Sequence, residues 1–461
     1  MMLSIETKAN ELMPAGGTNP DYFDCKEAWY PVHYLEDLDK SKPTPFTLLG
    51  ENIVIWWDKQ SNSWKAFEDK CPHRLVPLSE GRISDDGLLE CPYHGWAFAG
   101  NGQCERIPQQ EEGGKGEISK RACVSSFATS ERQGMLFIYG GNLENAEKTK
   151  IPIVEPIEES PDDWVVIGTF RDLPYDAFTL LENVLDASHV PFTHHNTVGN
   201  RANASPVNLE VLESGKHGFR GTWKEGPRRG KLGQQDTTFI APNLMWHDLT
   251  SKQYGRTLTV VYATPTRKGE CRLFARFPFK FSSKLPGFFI KLTPRWYSHI
   301  GQNSILEDDQ IFLHHQERYL QQQGGSENFT KAFYLPTTAD KYIFELRQWI
   351  NQYHVEPFPG ETLPPLLPKY KLLDRYHSHT VNCASCRNAL EKIKKIRQLT
   401  GIIAVILLAT IPMTTFFFGK TSVLPAIIQT ALPLVFAGVW LYLGKLSRKF
   451  YEGINIPPRN I

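Results

Sequence analysis

Three hydrophobic patterns follow one another along the chain. Between residue 21 and about 145 the apolar positions fall in short runs rich in β-branched and aromatic side chains, such as Asn52 to Asp58, Ala66 to Asp69 and Met135 to Gly140. Gly, Asn or Asp bounds each run, which predicts a small antiparallel β domain. From 146 to 375, further strands over Trp164 to Arg171, Arg256 to Thr264 and Cys271 to Phe279 mix with helical stretches around 176–190, 304–322 and 338–352. The pattern then changes again: Gly401 to Phe418 is an eighteen-residue run without a charge, and Ser422 to Gly444 is a second, separated by Gly419, Lys420 and Thr421. As a helix the first would cover about 27 Å, the hydrocarbon thickness of a bilayer. A buried helical hairpin is the alternative, but Pro412, Pro425 and Pro433 are tolerated more readily in membrane helices. No internal repeat or low-complexity segment interrupts these regions.

Charge orients the hairpin. Arg387, Lys392, Lys394, Lys395 and Arg397 precede the first span, Lys445, Arg448 and Lys449 follow the second, and one lysine lies between. Both ends should therefore face the cytoplasm or stroma. A formal net charge of +1 over 461 residues does not suggest nucleic acid. Eight cysteines lack the density of a secreted disulfide scaffold and favour a reducing compartment. The first twenty residues carry Glu6 and Glu11 and no apolar stretch, so they resemble neither a secretory signal nor an Arg-rich transit peptide. If the protein works in a plastid, its targeting segment is absent here; the simpler inference is a bacterial or cyanobacterial chain that needs none, anchored in a thylakoid or plasma membrane. The expected partition is a polar tail (1–20), a β domain (21–145), a mixed α and β domain (146–375), a basic linker (376–398), a transmembrane hairpin (399–446) and a short tail (447–461).

The chemistry is concentrated in two places. Cys71-Pro72-His73 and, after a spacer of seventeen residues, Cys91-Pro92-Tyr93-His94 each place one cysteine and one histidine on a turn. This is the signature of a Rieske [2Fe–2S] centre, in which one iron takes two thiolates and the other two imidazoles. A Cys₂His₂ zinc site is the alternative, but zinc hooks usually pair like ligands two to four residues apart. Arg74, Pro77, Ser79 and Gly81 after the first hook, with Gly95 and Trp96 after the second, suit two turns gripping a compact cofactor.

The second place is Glu182 to His194, which contains Asp186-x₂-His189-x₄-His194. On a helix, Asp186 and His189 would share a face, so that the carboxylate holds the imidazole, while Pro191 breaks the helix and lets His194 swing in. Two imidazoles and a distant carboxylate would form a facial triad for Fe(II) with open positions for O₂. The acidic start of Glu307 to Glu317 offers the third ligand; Asp309 is preferred because its helical face is shared with Leu313 and Gln316, and Asp308 remains the alternative. His195, His314 and His315 are read as non-ligands. No Gly-x-Gly-x-x-Gly motif is present, so electrons must come from a separate ferredoxin or reductase.

Together these residues resemble the Rieske non-haem iron oxygenases, and within them the membrane-bound chlorophyll-pathway branch of pheophorbide a oxygenase, chlorophyllide a oxygenase and the translocon-associated Rieske proteins. The likeness runs nearly end to end, through Trp29-Tyr30-Pro31-Val32, PFTLLG at 45–50 (Phe46 to Gly50 within it), WKAFED at 64–69, CPHRLVPLSEGR, CPYHGWAF, Ile107-Pro108-Gln109, the iron motif, Cys383-x-x-Cys386 and the paired spans. It implies an α+β protein with a Rieske domain, a helix-grip catalytic domain and the membrane hairpin. It further implies cluster ligands Cys71, His73, Cys91 and His94, iron ligands His189, His194 and an aspartate of the 308–309 pair, and Asp186 as an electron bridge between subunits of a homotrimer. Where the wider family often has Asn four residues before that aspartate, this chain has Glu182. The implied activity is O₂-dependent oxygenation of a lipophilic chlorophyll-type tetrapyrrole; Phe192, Trp246 and Trp296 are candidates to line its pocket, with plain core as the alternative. The Cys383/Cys386 pair has the spacing of a dithiol switch, associated in this branch with thioredoxin; two unlinked thiols are the alternative. A membrane redox relay or sensor without oxygenase activity is the rival reading, and the triad discriminates, since a relay has no use for it.

Overall fold

The computed structural model describes residues 14–17, 19–251, 255–418 and 423–461. Glu6, Glu11 and most of the polar tail, and Lys420 between the spans, lie outside the described residues. Two compact units emerge: residues 1–292, 308–367 and 458–461 form the first, and 293–307 with 368–457 the second.

In the first unit, the N-terminal part consists of three small antiparallel sheets. One joins Trp29–Tyr34, Met135–Tyr139 and Thr129–Arg132; a second joins Thr44–Leu48, Glu51–Asp58, Ser63–Glu68 and Ser126–Phe127; a third joins Arg82–Ile83, Leu89–Glu90, Ala97–Phe98 and Cys104–Arg106. Ile53 to Trp56 are all buried, and Val54, Trp56, Phe67, Leu78, Leu89 and Phe98 close a core that also includes Cys71 and Cys91. Each such side chain contributes roughly 1.5–3 kcal/mol by leaving water. Cys71 and Cys91 of the two hooks are thereby seated in that buried core.

A seven-stranded antiparallel sheet follows, in the order Val165–Leu173, Glu270–Lys280, Gly255–Arg267, Leu244–Ser251, Gln235–Ile240, Gly218–Trp223 and Glu210–Gly215. Five consecutive hairpins build it, and the earliest strand closes one edge against the last, with Val165 opposite Phe279. Helices α1 (Ala177–Leu185) and α2 (Val190–Thr193) fill the connection from the first strand, and the long α3 (Arg295–Gln322) and α4 (Lys341–Gln352) follow the sheet. On α4, Tyr342, Ile343, Leu346, Trp349 and Ile350 form the buried stripe of an amphipathic helix. Trp349 of that stripe meets the rings of Phe23, Phe178 and Phe239 at 5.2, 6.0 and 5.3 Å. This is the expected α+β architecture.

In the second unit, α5 (Ala384–Phe418) and α6 (Val423–Arg448) pack together as a hairpin. Within the expected 376–398 linker α5 already begins at Ala384, because the stretch from Ala389 to Leu399 consists almost wholly of good helix formers with no glycine or proline. Gly401 stands where a Cβ would lie 2.9 Å from the Trp440 ring, so its lack of a side chain lets the helices approach. Ile402, Val405, Ile406 and Leu408 on one helix, and Leu434, Val435 and Leu441 on the other, are exposed. Both helices are long and apolar enough to cross a bilayer, and among the described residues of these spans few side chains are buried, as a membrane anchor requires.

Candidate metal centres

Two turns of the same design carry the first centre. The Cys71 N–H donates to the Val76 carbonyl (2.8 Å) and the Leu75 N–H returns to the Cys71 carbonyl (2.8 Å). In the second turn Cys91 N–H meets Trp96 O (2.8 Å) and Gly95 N–H meets Cys91 O (3.1 Å). The equivalent corner residues, Leu75 and Gly95, both have positive φ, at 61° and 70°. Glycine adopts that conformation freely; Leu75 does so against its Cβ, a local strain of about 1 kcal/mol. The turns bring like ligands together: the Cys71 and Cys91 thiols are hydrogen-bonded neighbours, and the His73 and His94 rings stand 4.6 Å apart. Trp96 stacks on His73 with centroids 4.7 Å apart and planes within 7°.

The donor set fits a two-iron cluster with thiolates on one side and imidazoles on the other. Both cysteines are buried and both histidines half-buried. Burial, with Cys91 alongside, pushes the Cys71 thiol up, so a metal cation is the natural replacement for its proton. Backbone N–H groups of His73 and Arg74 already point at its sulfur. The His73 Nδ1 is buried without a hydrogen-bond partner, an orphan that a metal bond would satisfy.

The second centre gathers His189, His194 and Asp309, whose ligand atoms all lie within 4.8 Å of one another. Asp309 Oδ2 is 3.2 Å from His194 Nε2, and Asp309 Oδ1, buried and otherwise unpartnered, is 4.0 Å from His189 Nε2. The opposite ring nitrogens are occupied. His189 Nδ1 donates to the Asp186 carbonyl, and His194 Nδ1 faces Asp308 Oδ2 at 3.3 Å. These Nδ1 contacts leave both Nε2 atoms turned toward Asp309, the side on which a metal ion would sit. Burial alone would lower the His194 pKa, but Asp308 and Asp309 on either side raise it to about 9. The pocket favours positive charge.

Several expectations need correction. Asp186 and His189 do not share a helix: α1 ends at Leu185, and Asp186 is an extended residue whose Oδ1 accepts from Ser188 N and Oγ at 2.7 and 2.6 Å. A turn, set by that carboxylate, presents His189. Pro191 does not break a helix; it occupies the first turn of α2, where its missing N–H costs nothing. Glu182, at the position where the wider family often has Asn, is buried in an ion pair with Arg347 and accepts from Gln316 Nε2 at 2.8 Å. His314 is fully buried, donating from Nδ1 to Pro174 O (2.6 Å) and accepting at Nε2 from Leu367 N–H (3.0 Å). Trp246 belongs to the buried sheet and Trp296, in the second unit, packs against Phe450 at 5.8 Å, whereas Phe192 is exposed two residues before His194.

Two supports were not foreseen. His247 accepts from Thr237 Oγ1 at Nδ1 (2.8 Å) and donates from Nε2 to Val184 O (2.9 Å), fixing the end of α1 just before Asp186. Residues 458–459, read as tail, return to the centre. Arg459 Nη1 donates to the Asp308 carbonyl and lies 3.8 Å from its Oδ1, while Asn196 Nδ2 and Arg201 Nη2 donate to the Pro458 and Arg459 carbonyls at 3.1 and 2.6 Å.

Comparison with known proteins agrees with this geometry. Residues 28–128 match the Rieske [2Fe-2S] domain and residues 239–327 match pheophorbide a oxygenase. Pheophorbide a oxygenase of Oryza sativa is 35% identical over 93% of this chain and 83% of its own. Flavonoid 8-hydroxylase 2 of Ocimum basilicum is 33% identical over 88% of this chain and 82% of its own. Among solved structures, the Pseudomonas putida NdmA QL mutant with theobromine superposes with a TM-score of 0.56 at 21% identity, over 71% of this chain and 90% of that one. That likeness is one of fold. The cofactors of this enzyme are a Rieske [2Fe–2S] cluster and mononuclear Fe(II).

Proposed function

Because this chain belongs to the pheophorbide a oxygenase family of Rieske proteins, we propose that it oxygenates a lipophilic chlorophyll-type tetrapyrrole delivered from the membrane that anchors it. The observation that carries this reading is the convergence of His189, His194 and Asp309 in a chain that also has the Rieske hooks. Fe(II) held by that triad would supply open positions for O₂, and the cluster would supply single electrons received from a ferredoxin or other reductase.

The protein's own residues do the rest. Asp309 provides the anionic ligand; the Asp186 carbonyl and the Asp308 carboxylate fix the two rings; Arg459 balances the additional negative charge of Asp308. Cys71 and Cys91 hold the buried side of the cluster, and His73 and His94 its half-exposed side, the side suited to electron exchange. Asp186, part-exposed and hydrogen-bonded to Ser188, is suited to take a hydrogen bond from an incoming cluster histidine, which supports its role as bridge in a homotrimer. The soluble domains would lie on the cytoplasmic or stromal face. Thioredoxin control of Cys383/Cys386 is the further reading that the spacing invites.

His189→Ala tests the proposal. Product formation should cease while the absorption and EPR of the Rieske cluster persist; unchanged oxygenation would remove the triad from the chemistry. A redox relay, by contrast, would keep its electron throughput in that variant.

A further inference from the structure

Outside both iron centres, the second unit contains another convergence of metal-ligating side chains. His299 on the first turns of α3, His379 in the turn Tyr376–Thr380, and Cys383 and Cys386 at the start of α5 have ligand atoms that all lie within 4.8 Å of one another. All four are buried, with relative exposures of 1, 1, 0 and 2%. His299 Nδ1 is 3.0 Å from His379 Nε2, 3.5 Å from Cys383 Sγ and 3.4 Å from Cys386 Sγ, and His379 Nε2 is 3.3 Å from Cys386 Sγ.

These edges are those of a small tetrahedron. With metal–nitrogen bonds of about 2.0–2.1 Å and metal–sulfur bonds of about 2.3 Å, tetrahedral zinc would place N···N about 3.3 Å and N···S about 3.5 Å apart. The observed values fall within a few tenths of an ångström of both. A second two-iron cluster does not fit, because it would put sulfur and nitrogen on different irons, whereas here each nitrogen touches sulfur. Hydrogen bonding alone does not account for the arrangement either: one imidazole nitrogen, His299 Nδ1, faces three partners and has at most one proton to give.

We propose that His299, His379, Cys383 and Cys386 form a closed structural site for Zn²⁺. Binding displaces the two thiol protons to solvent and leaves two thiolates and two neutral imidazoles on the ion, with no open position for substrate. The site ties the first turns of α3 to the segment that launches the membrane hairpin, closing a loop of 80 residues between His299 and His379. His379 is presented by a widened turn, Val381 N–H to Tyr376 O at 2.9 Å, a device common where a helix is distorted to aim a side chain. The inference does not depend on the oxygenase reading.

The test uses the full-length protein purified in detergent without added metal. Elemental analysis should find one zinc per chain beside the iron, and zinc-edge X-ray absorption should show two sulfur and two nitrogen neighbours. Cys383→Ser/Cys386→Ser should lose the zinc while keeping the Rieske EPR signal. Should that variant fail to fold, alkylation of the wild-type protein decides: exposed Cys123 should react at once, and Cys383 and Cys386 only after a chelator strips the zinc. Absence of zinc together with a Cys383–Cys386 disulfide would overturn the proposal in favour of a redox switch. Zinc that survives in the double variant, or a first shell without sulfur, would overturn it as well.

Discussion

The division of labour between Asp308 and Asp309 yields the sharpest prediction. Asp309 supplies oxygens to both imidazole Nε2 atoms, whereas Asp308, 1% exposed, accepts from His194 Nδ1 (3.3 Å) and Thr197 Oγ1 (3.2 Å) through the same oxygen. Removing a partner of this second kind typically weakens metal binding by about 10–100-fold, or roughly 1.4–2.7 kcal/mol. Asp308→Asn keeps a carbonyl oxygen that can still accept one of the two bonds, so the lower end, about 10-fold, is expected. Asp308→Ala leaves the buried His194 Nδ1 without its acceptor, while Thr197 Oγ1 keeps the His194 carbonyl, and should approach about 100-fold. Asp309→Asn deletes the anionic ligand and should abolish iron retention at this centre. The assay is retention of mononuclear iron against graded chelator, with the Rieske EPR signal as internal control. If Asp309→Asn held iron like the wild type while Asp308→Asn lost it, the assigned roles would be reversed and the account of the site wrong.

Other consequences follow from neighbouring contacts. Arg459→Ala should loosen iron by several-fold and reduce kcat more than KM, since it removes the cation beside Asp308 without touching a ligand; an unchanged chelator profile would contradict that. Trp96→Leu should shift the cluster's EPR line shape and potential through the unstacked His73 ring, leaving mononuclear iron in place; an identical spectrum would deny the stacking a role. Burial lowers the His247 pKa to about 4, below the usual 6.5, so between these values the unfolded chain binds a proton that the folded one refuses. Stability should therefore be fullest above about pH 6.5 and decline toward pH 4, by about 3 kcal/mol from this residue. Denaturation across that range should be flatter in His247→Gln; an equal slope would place the titration elsewhere.

The cluster hooks were legible in the sequence because each is local: cysteine, histidine and the turn between them lie within four residues. The short β-branched and aromatic runs bounded by Gly, Asn or Asp likewise mark the strands, and the uncharged runs the hairpin. What escaped was whatever depends on folding. Helical phase favoured Asp309, but only the fold shows that Asp308 orients His194, and no local signal links Arg459 to a carboxylate 151 residues away. The Asp-x₂-His spacing suits a helix face and an aspartate-headed turn equally well, and Ser188 settles it for the turn. Cys383 and Cys386 looked like a redox pair because His299 and His379 reach them only in three dimensions. The basic stretch from Arg387 to Arg397 reads as a linker by its charge, although its helix propensity is high.

The central claim is that this chain activates O₂ at one iron with electrons stored at another. It is tested most directly by a single turnover of the reduced, full-length protein under ¹⁸O₂ with pheophorbide and chlorophyllide, read by mass spectrometry of the tetrapyrrole. The account predicts ¹⁸O in the product, lost in His189→Ala. A reduced Rieske cluster that reoxidises without labelling any tetrapyrrole would contradict it.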